Sequence, residues 1–253
     1  VTIATDHSAP VLQFSGIYKS FAGHAVLRGV DLQVAPGSIH FILGRSGAGK
    51  SILIKQVVGL VQCDAGSLEL FGQNIVGLND SAWRPVRATC QLIFQNSTLF
   101  DQLDVLHNVC MPLMHRWNLN FSQAREAALA ALEQVQAVHL AHRAVAQLGA
   151  GLQKRVAMAR ALALQPRVLL YDEPTTSLDP VAARRTDRLM RALQRNAELT
   201  QVVVSHDLES TAQVASVVSF LHAGKIYYHG APQAFLQATQ DPVIGPFLQR
   251  RPQ

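Results

Sequence analysis

The chain has 253 residues, enough for one large α/β domain or a domain carrying an inserted subdomain. Apolar residues make up 49% and charged residues 15%, the latter below the roughly 25% usual for soluble domains, so part of the surface is expected to lie against a partner. The net charge of +5 rests on scattered Lys and Arg without aromatic interleaving, which argues against a nucleic-acid surface; no apolar run approaches the roughly 20 residues of a bilayer span, and VTIATDHSAP has no charged-then-apolar pattern, so a cytosolic chain is expected.

The first strong signal is HFILGRSGAGKSILIKQVVGL. His40 to Leu43 reads as a buried strand and Ser51 to about Leu60 as a helix. Between them, Gly44-Arg45-Ser46-Gly47-Ala48-Gly49-Lys50-Ser51 fits G-x-x-x-x-G-K-[ST]. Glycines let successive N–H groups point into one concavity, a cradle for phosphate. In that cradle Lys50 reaches the β- and γ-phosphates and the Ser51 hydroxyl binds Mg²⁺.

Further on, LIFQNSTLF ends a strand-like run at Gln95. A side-chain oxygen there can ligate Mg²⁺ or a water, or the residue can act as a hinge that reports phosphate occupancy. The stretch from about 96 to 160 lacks β patterning, and SQAREAALAALEQVQAV repeats its apolar residues at helical spacing, so a mainly helical insert is expected. Within it, AVAQLGAGLQKRVAMARAL predicts a helix that starts at Gly149, Ala150 and Gly151 without Ser, Thr, Asp or Asn as a cap. An uncapped N-terminus presents free N–H groups and the positive end of the helix dipole, both suited to an anion.

In RVLLYDEPTTSLDP, Val168 to Tyr171 predicts a strand buried on both faces that ends in Asp172-Glu173. Ligands of open parallel sheets sit beyond the carboxyl ends of the strands. Asp172 is thereby placed near Mg²⁺, and Glu173 near the γ-phosphate as a general base for water. TQVVVSHDL predicts another strand over Val202 to Val204, ending beside His206, which can touch the γ-phosphate or the attacking water. His139 and His142 have metal-like spacing but lack further ligands nearby. Cys63, Cys90 and Cys110 form no C-x-x-C pair and read as reduced structural thiols.

Taken in order, GRSGAGKS, Gln95, LGAGLQKR, LLYDEPTTSLDP and VSHD closely resemble the nucleotide-binding subunits of ABC transporters over nearly the whole chain. The resemblance implies an α/β fold of the phosphate-loop ATPase class: a RecA-like mixed or parallel sheet core, an N-terminal antiparallel β subdomain and a helical insert. It implies one ABC ATP-binding domain over 1–253, with core and β subdomain at about 10–95 and 161–236, helical subdomain at about 96–160 and a tail at about 237–253. ATP and Mg²⁺ are the implied cofactors. By the same resemblance Phe21 stacks on adenine, Val26 and residues 44–51 line the nucleotide, Ser51, Gln95 and Asp172 serve the metal, and Glu173, His206 and Gln95 serve hydrolysis. Asp179 is the D-loop residue, and Gly149, Ala150 and Gly151 touch the ATP of a second subunit paired head to tail. The family pattern at that segment is Leu-Ser-Gly-Gly-Gln, whereas this chain has Leu148-Gly149-Ala150-Gly151-Leu152. The lost serine removes one hydrogen bond to a charged phosphate, worth roughly 1.5–3 kcal/mol, so weakened engagement rather than a dead site is expected.

Within the family, LIFQNSTLFDQLDVLHNVCMPL, YDEPTTSLDPV and YYHGAPQAFLQATQDPVIGPFLQ look most like the ATPase of Mla-type, MCE-associated phospholipid transporters. That likeness implies a homodimer at the cytoplasmic face of the inner membrane, held by an integral membrane permease, with an MCE-type lipid-binding protein and a STAS-domain protein as further partners. The permease would sit around Phe94 to Val109, with Leu99, Phe100 and Leu103 as contacts. The rival readings are an importer ATPase for a small polar solute, a poorly hydrolysing nucleotide-gated regulator, and a soluble ATPase acting on DNA or ribosomes. The tail from Gln237 is expected either to be loose or to reach the second subunit.

Overall fold

The computed structural model describes residues 9–195 and 198–249. The chain opens with the long antiparallel pair β1 (Leu12–Phe21) and β2 (His24–Val34), followed by β3 (Ile39–Leu43) and α1 (Lys50–Val57). Next come β4 (Ala65–Leu70), β5 (Gln73–Asn74), α2 (Asp80–Thr89) and β6 (Cys90–Ile93). A run of helices follows: α3 (Val105–Trp117), α4 (Phe121–Gln134) and α5 (Ala150–Leu162). The last third alternates β7 (Val168–Asp172), α6 (Pro180–Leu193), β8 (Thr200–Ser205), α7 (Leu208–Val214), β9 (Val217–His222) and β10 (Lys225–Gly230), then closes with α8 (Pro232–Gln237) and α9 (Gly245–Leu248).

Two sheets result. The first is antiparallel, in the order β2-β1-β4-β5. The second runs β10-β9-β3-β8-β7-β6 and is parallel from β9 through β6, with β10 antiparallel at its edge. β3, β7 and β8 are buried at every residue, which is why they carry the short apolar runs Phe41–Leu43, Val168–Tyr171 and Val202–Val204 rather than alternating polar and apolar residues. All three therefore deliver their carboxyl ends to one edge, where the phosphate loop, Asp172-Glu173 and Ser205-His206 leave the sheet. The expected mixed sheet, antiparallel β layer and helical insert are all present.

The helices α3 and α4 start at side-chain caps, Asp104 and Asn120, and Asn120 forms a reciprocal capping box with Gln123. Their small and branched apolar residues, Val109, Leu113, Ala124, Ala128 and Leu132, pack with Val156 and Met158 of α5 in one core cluster. No helix among the described residues is long and apolar enough to cross a membrane. The three cysteines are free thiols, and burial pushes the Cys90 and Cys110 thiols up.

The expectation of a loose tail is corrected as far as Gln249. Phe247 is buried, its ring 4.9 Å from Phe220, and Phe235 lies 5.4 Å from the same ring. Burying two phenylalanines in this way outweighs the freedom of a terminus. Residues 250–253 of the predicted tail lie outside the described residues.

Candidate nucleotide-hydrolysing site

The loop after β3 enters α1 through Gly49, whose φ of 101° lies in the left-handed region. A Cβ there would stand 2.9 Å from Val26 Cγ1 and 2.9 Å from Leu27 Cδ2, so glycine also permits the close approach of β2. Val26 is thus brought against the loop. Phe21 sits three residues back from the β1–β2 turn partner His24, exposed, with the Lys19 ammonium 5.2 Å from its ring. α1 has no side-chain cap, so the first N–H groups of the helix are available to an anion, as the motif requires.

Lys50 is buried, and its Nζ donates to the carbonyls of Gly44 at 2.9 Å and Arg45 at 3.2 Å. The same ammonium lies 3.4 Å from Glu173 Oε1. Ser51 Oγ donates to Asp172 Oδ1 at 2.5 Å. Lys55 Nζ stands 3.7 Å from the other oxygen of Asp172. A hydroxyl and a carboxylate held together on the phosphate side of the sheet are the hard oxygen donors that Mg²⁺ prefers, so these residues fit the cation. Arg45, Ser46 and Gly47 are exposed at the tip of the loop, and Ala48 is half-buried behind them.

Glu173 is the first residue past β7, and its N–H still donates to Val204 O at 3.0 Å. Its φ of 48° turns the chain sharply out of the sheet. For a non-glycine residue this conformation costs on the order of 1–3 kcal/mol, strain of a kind that gathers at functional sites. Its Oε2 receives two contacts: His206 Nδ1 at 2.9 Å and the Thr176 hydroxyl at 3.1 Å. His206 comes from the end of β8, so two neighbouring strands aim one base–imidazole pair at the phosphate loop.

Behind His206, Asp207 caps α7 and accepts from the hydroxyls of Thr175 at 2.9 Å and Ser210 at 3.0 Å. Ser210 Oγ also lies 2.9 Å from Asp187 Oδ2 on α6, while Asp187 Oδ1 has no partner among the described residues. Burial and the negative charges of Asp207 and Glu209 push the Asp187 carboxyl up to about 6.

The uncapped helix start predicted at Gly149 is present. Gly149 is the residue before α5, its side-chain position makes no cap, and Ala150 is the first helical residue. A Cβ at Gly149 would meet nothing within 4 Å, whereas one at Gly151 would stand 2.7 Å from Ala182 Cβ on α6. Asp179 caps α6, its Oδ1 accepting from Val181 N and Ala182 N at 2.9 Å each. Gln95 lies apart from the Lys50–Glu173 group. Its side chain is exposed on the rim of a cavity of about 390 Å³ shared with Ala150, Gln153, Thr176 and Ser177, and no hydrogen bond joins it to Ser51 or Asp172 among the described residues.

Sequence reasoning passed over Lys154, Thr176 and Lys55. Lys154 is only 2% exposed, and its Nζ donates to Phe94 O at 2.9 Å and Gln95 O at 2.7 Å. Burial lowers its ammonium to about 8, against the opposing pull of the Asp172 charge. The available signal was its place on the stripe Lys154, Met158, Ala161, Leu162, the buried side of α5.

The family model described as "ABC transporter" matches residues 27–176. Over 216 residues the chain is 35% identical to the methionine import ATP-binding protein MetN of Clostridium acetobutylicum, covering 85% of this chain and 67% of that protein. It is likewise 35% identical to the histidine/lysine/arginine/ornithine transport ATP-binding protein HisP of Salmonella typhimurium, covering 92% of this chain and 94% of HisP. Against other MetN proteins it spans 65% of their length. Among solved structures, the dimeric post-hydrolysis state of the ATP-binding cassette MJ0796, bound to ADP and Pi, superposes with a TM-score of 0.79 at 27% identity, covering 87% of this chain and 98% of that one.

Proposed function

Because this chain belongs to the ABC transporter family, we propose that it is the ATP-hydrolysing subunit of an importer for a small polar solute of the amino-acid type. ATP hydrolysis is the shared chemistry of the family; the solute class rests on relatives that serve methionine and basic amino acids. The observation that carries the reading is the double contact of Glu173, with Lys50 on one oxygen and His206 on the other.

Ser51 and Asp172 are the residues that would hold Mg²⁺, which when bound neutralises charge on the β- and γ-phosphates. Lys50 and the free N–H groups of α1 bind the phosphates. The γ-phosphate competes with Glu173 for the Lys50 ammonium, so its arrival frees Oε1 to take a proton from the attacking water. His206 and Thr176 hold Oε2 meanwhile and keep the carboxylate aimed. Gln95 acts as the phosphate-occupancy hinge, Phe21 and Val26 flank the nucleotide, and Asp179 reaches the second subunit's site after its capping role. Gly149, Ala150 and Gly151 offer backbone N–H groups to the ATP of that second subunit. Closure then adds contacts present only in the nucleotide-bound dimer, which is what shifts the population toward it.

A membrane permease docks on the helical layer at 94–109, where Phe100 is exposed while Leu99 and Leu103 are half-buried. The chain is thereby held at the cytoplasmic face of the membrane. The division into core, helical subdomain at about 96–160 and tail serves this transmission. A second reading, phospholipid transport with MCE and STAS partners, rests on the sequence runs at 92–113, 171–181 and 227–249 alone. The deciding experiment reconstitutes the chain with its copurifying permease in liposomes. ATP-driven uptake of labelled methionine, histidine or another amino acid supports the importer; movement of a labelled phospholipid instead overturns the solute class while keeping the ATPase. Absence of ATP turnover relative to Glu173→Gln overturns both.

A further inference from the structure

The loop from Phe94 to Phe100 leaves the sheet at Ile93 and carries Gln95. The carbonyls of Phe94, Gln95, Ser97 and Thr98 accept from two cationic side chains of one helix. Lys154 of α5 takes Phe94 O at 2.9 Å and Gln95 O at 2.7 Å. Arg160, further along the same helix, takes Thr98 O at 2.9 Å and Ser97 O at 3.2 Å, and its Nη2 also reaches the Thr98 hydroxyl at 3.1 Å. The far end of the loop is tied to α3, where Asn108 accepts from Phe100 N at 2.8 Å and donates to Phe100 O at 3.0 Å. Every one of these partners belongs to the helical layer.

Charge-assisted bonds are about twice as strong as neutral ones, and a buried ammonium without acceptors is costly, so Lys154 holds the loop and the loop holds Lys154. Four residues N-terminal to Lys154, α5 begins at Ala150, the bare helix start that faces a second subunit in the function proposed above. One side chain therefore links Gln95 to that helix start.

We propose that Lys154 is a positioning residue, which locks the backbone of Gln95 to α5 so that the phosphate-sensing loop and the segment facing the second ATP move as one body, with the pivot at Ile93–Phe94. This rests on the ATPase reading, with Gln95 as the group through which Lys154 acts on turnover. A thioether or neutral amide in place of Lys154 changes the link without touching the phosphate loop.

The test compares wild type, Lys154→Met, Lys154→Gln, Gln95→Ala and the double variant Lys154→Met/Gln95→Ala. Amide hydrogen exchange of residues 94–98 is read in the nucleotide-free protein, and kcat and KM for ATP are read beside it. Lys154→Met is expected to speed exchange at 94–98 at least tenfold and to lower kcat about tenfold, with KM within twofold. Lys154→Gln, which keeps two N–H donors, is expected to restore most of both. In the Gln95→Ala background Lys154→Met should cost no further kcat. Unchanged exchange at 94–98, or a full additional loss in the double variant, overturns the proposal. If Lys154→Met fails to fold, the same cycle is run with Lys154→Gln, and exchange and kcat equal to wild type then support a donor role, whereas additive loss with Gln95→Ala refutes it. If wild type hydrolyses no ATP, the functional reading fails while the exchange data still decide the clamp.

Discussion

His206 Nδ1 stands 2.9 Å from Glu173 Oε2, across the ends of two adjacent strands. The contact requires the proton on Nδ1, so the imidazole orients the carboxylate and leaves its lone pairs for water. Glu173→Gln is therefore expected to lower kcat by about 10²–10⁴ while nucleotide affinity, measured by titration calorimetry, changes less than a few-fold. His206→Ala should lower kcat by a smaller factor, since Thr176 still holds Oε2. Comparable turnover in Glu173→Gln and wild type would remove Glu173 from the chemistry.

Gly149 has φ −65° and ψ 158°, a conformation open to any residue, and a Cβ there meets nothing. Gly149→Ser should thus fit without strain. Its hydroxyl can cap α5, a gain of only about a few tenths of a kcal/mol over glycine, and can donate to a phosphate of the second subunit. ATP turnover at saturating protein is expected to rise by up to roughly tenfold, the lower end of a bond to a charged group. An unaltered rate would mean that backbone N–H groups already supply all the engagement this helix offers.

The next glycine behaves in the opposite way. Alanine favours a helix interior by about 1 kcal/mol over glycine, yet at position 151 its Cβ would stand 2.7 Å from Ala182 Cβ. Both atoms are fixed to backbone, so α5 and α6 must part. Gly151→Ala is expected to destabilise by about 1–2 kcal/mol and to lower Tm by about 2–6 °C in a thermal melt. Adding Ala182→Gly should recover most of that loss; if it does not, the two helices are not in the contact described.

Asp187 supplies a pH signature. Its folded-state carboxyl is raised to about 6 by burial and by its acidic neighbours. Such a group contributes stability that is whole below the unfolded value near 3.8 and is lost as pH climbs through about 6. The two-unit difference corresponds to about 3 kcal/mol at most. Asp187→Asn should therefore stabilise the protein by about 1–3 kcal/mol in urea unfolding at pH 8, with the gain shrinking toward pH 4. A gain of equal size at both pH values would point to packing rather than charge.

Much of the site was legible because its residues sit at fixed offsets from strand ends. Asp172 closes β7, Glu173 and His206 follow β7 and β8 directly, and Lys50 and Ser51 open the helix after the loop that leaves β3; an apolar run followed by a polar turn marks each of these strand ends. The bare start of α5 was legible from the lack of a capping oxygen. Lys154 was not, because its acceptors are main-chain oxygens some sixty residues away and leave no trace in composition. The packing of Phe235 and Phe247 on Phe220 escaped for the same reason: a few aromatic residues in a polar tail reveal no partner until β9 is placed. The phospholipid reading leaned on local runs of sequence, whereas the relatives matched over 85% and 92% of the chain are named for methionine import and for histidine/lysine/arginine/ornithine transport.

The place of β3 in its sheet has a consequence for how the chain is made. Its two neighbours are β8 and β9, both from the last quarter of the sequence. At about 5–20 residues per second, the ribosome needs roughly ten to thirty seconds after finishing β3 to supply them. Over that interval an apolar strand bearing the phosphate loop has no flanking strand to pair with. Nascent chains of this protein are accordingly expected to recruit holdase chaperones early, and to acquire nucleotide affinity only as the final quarter leaves the exit tunnel.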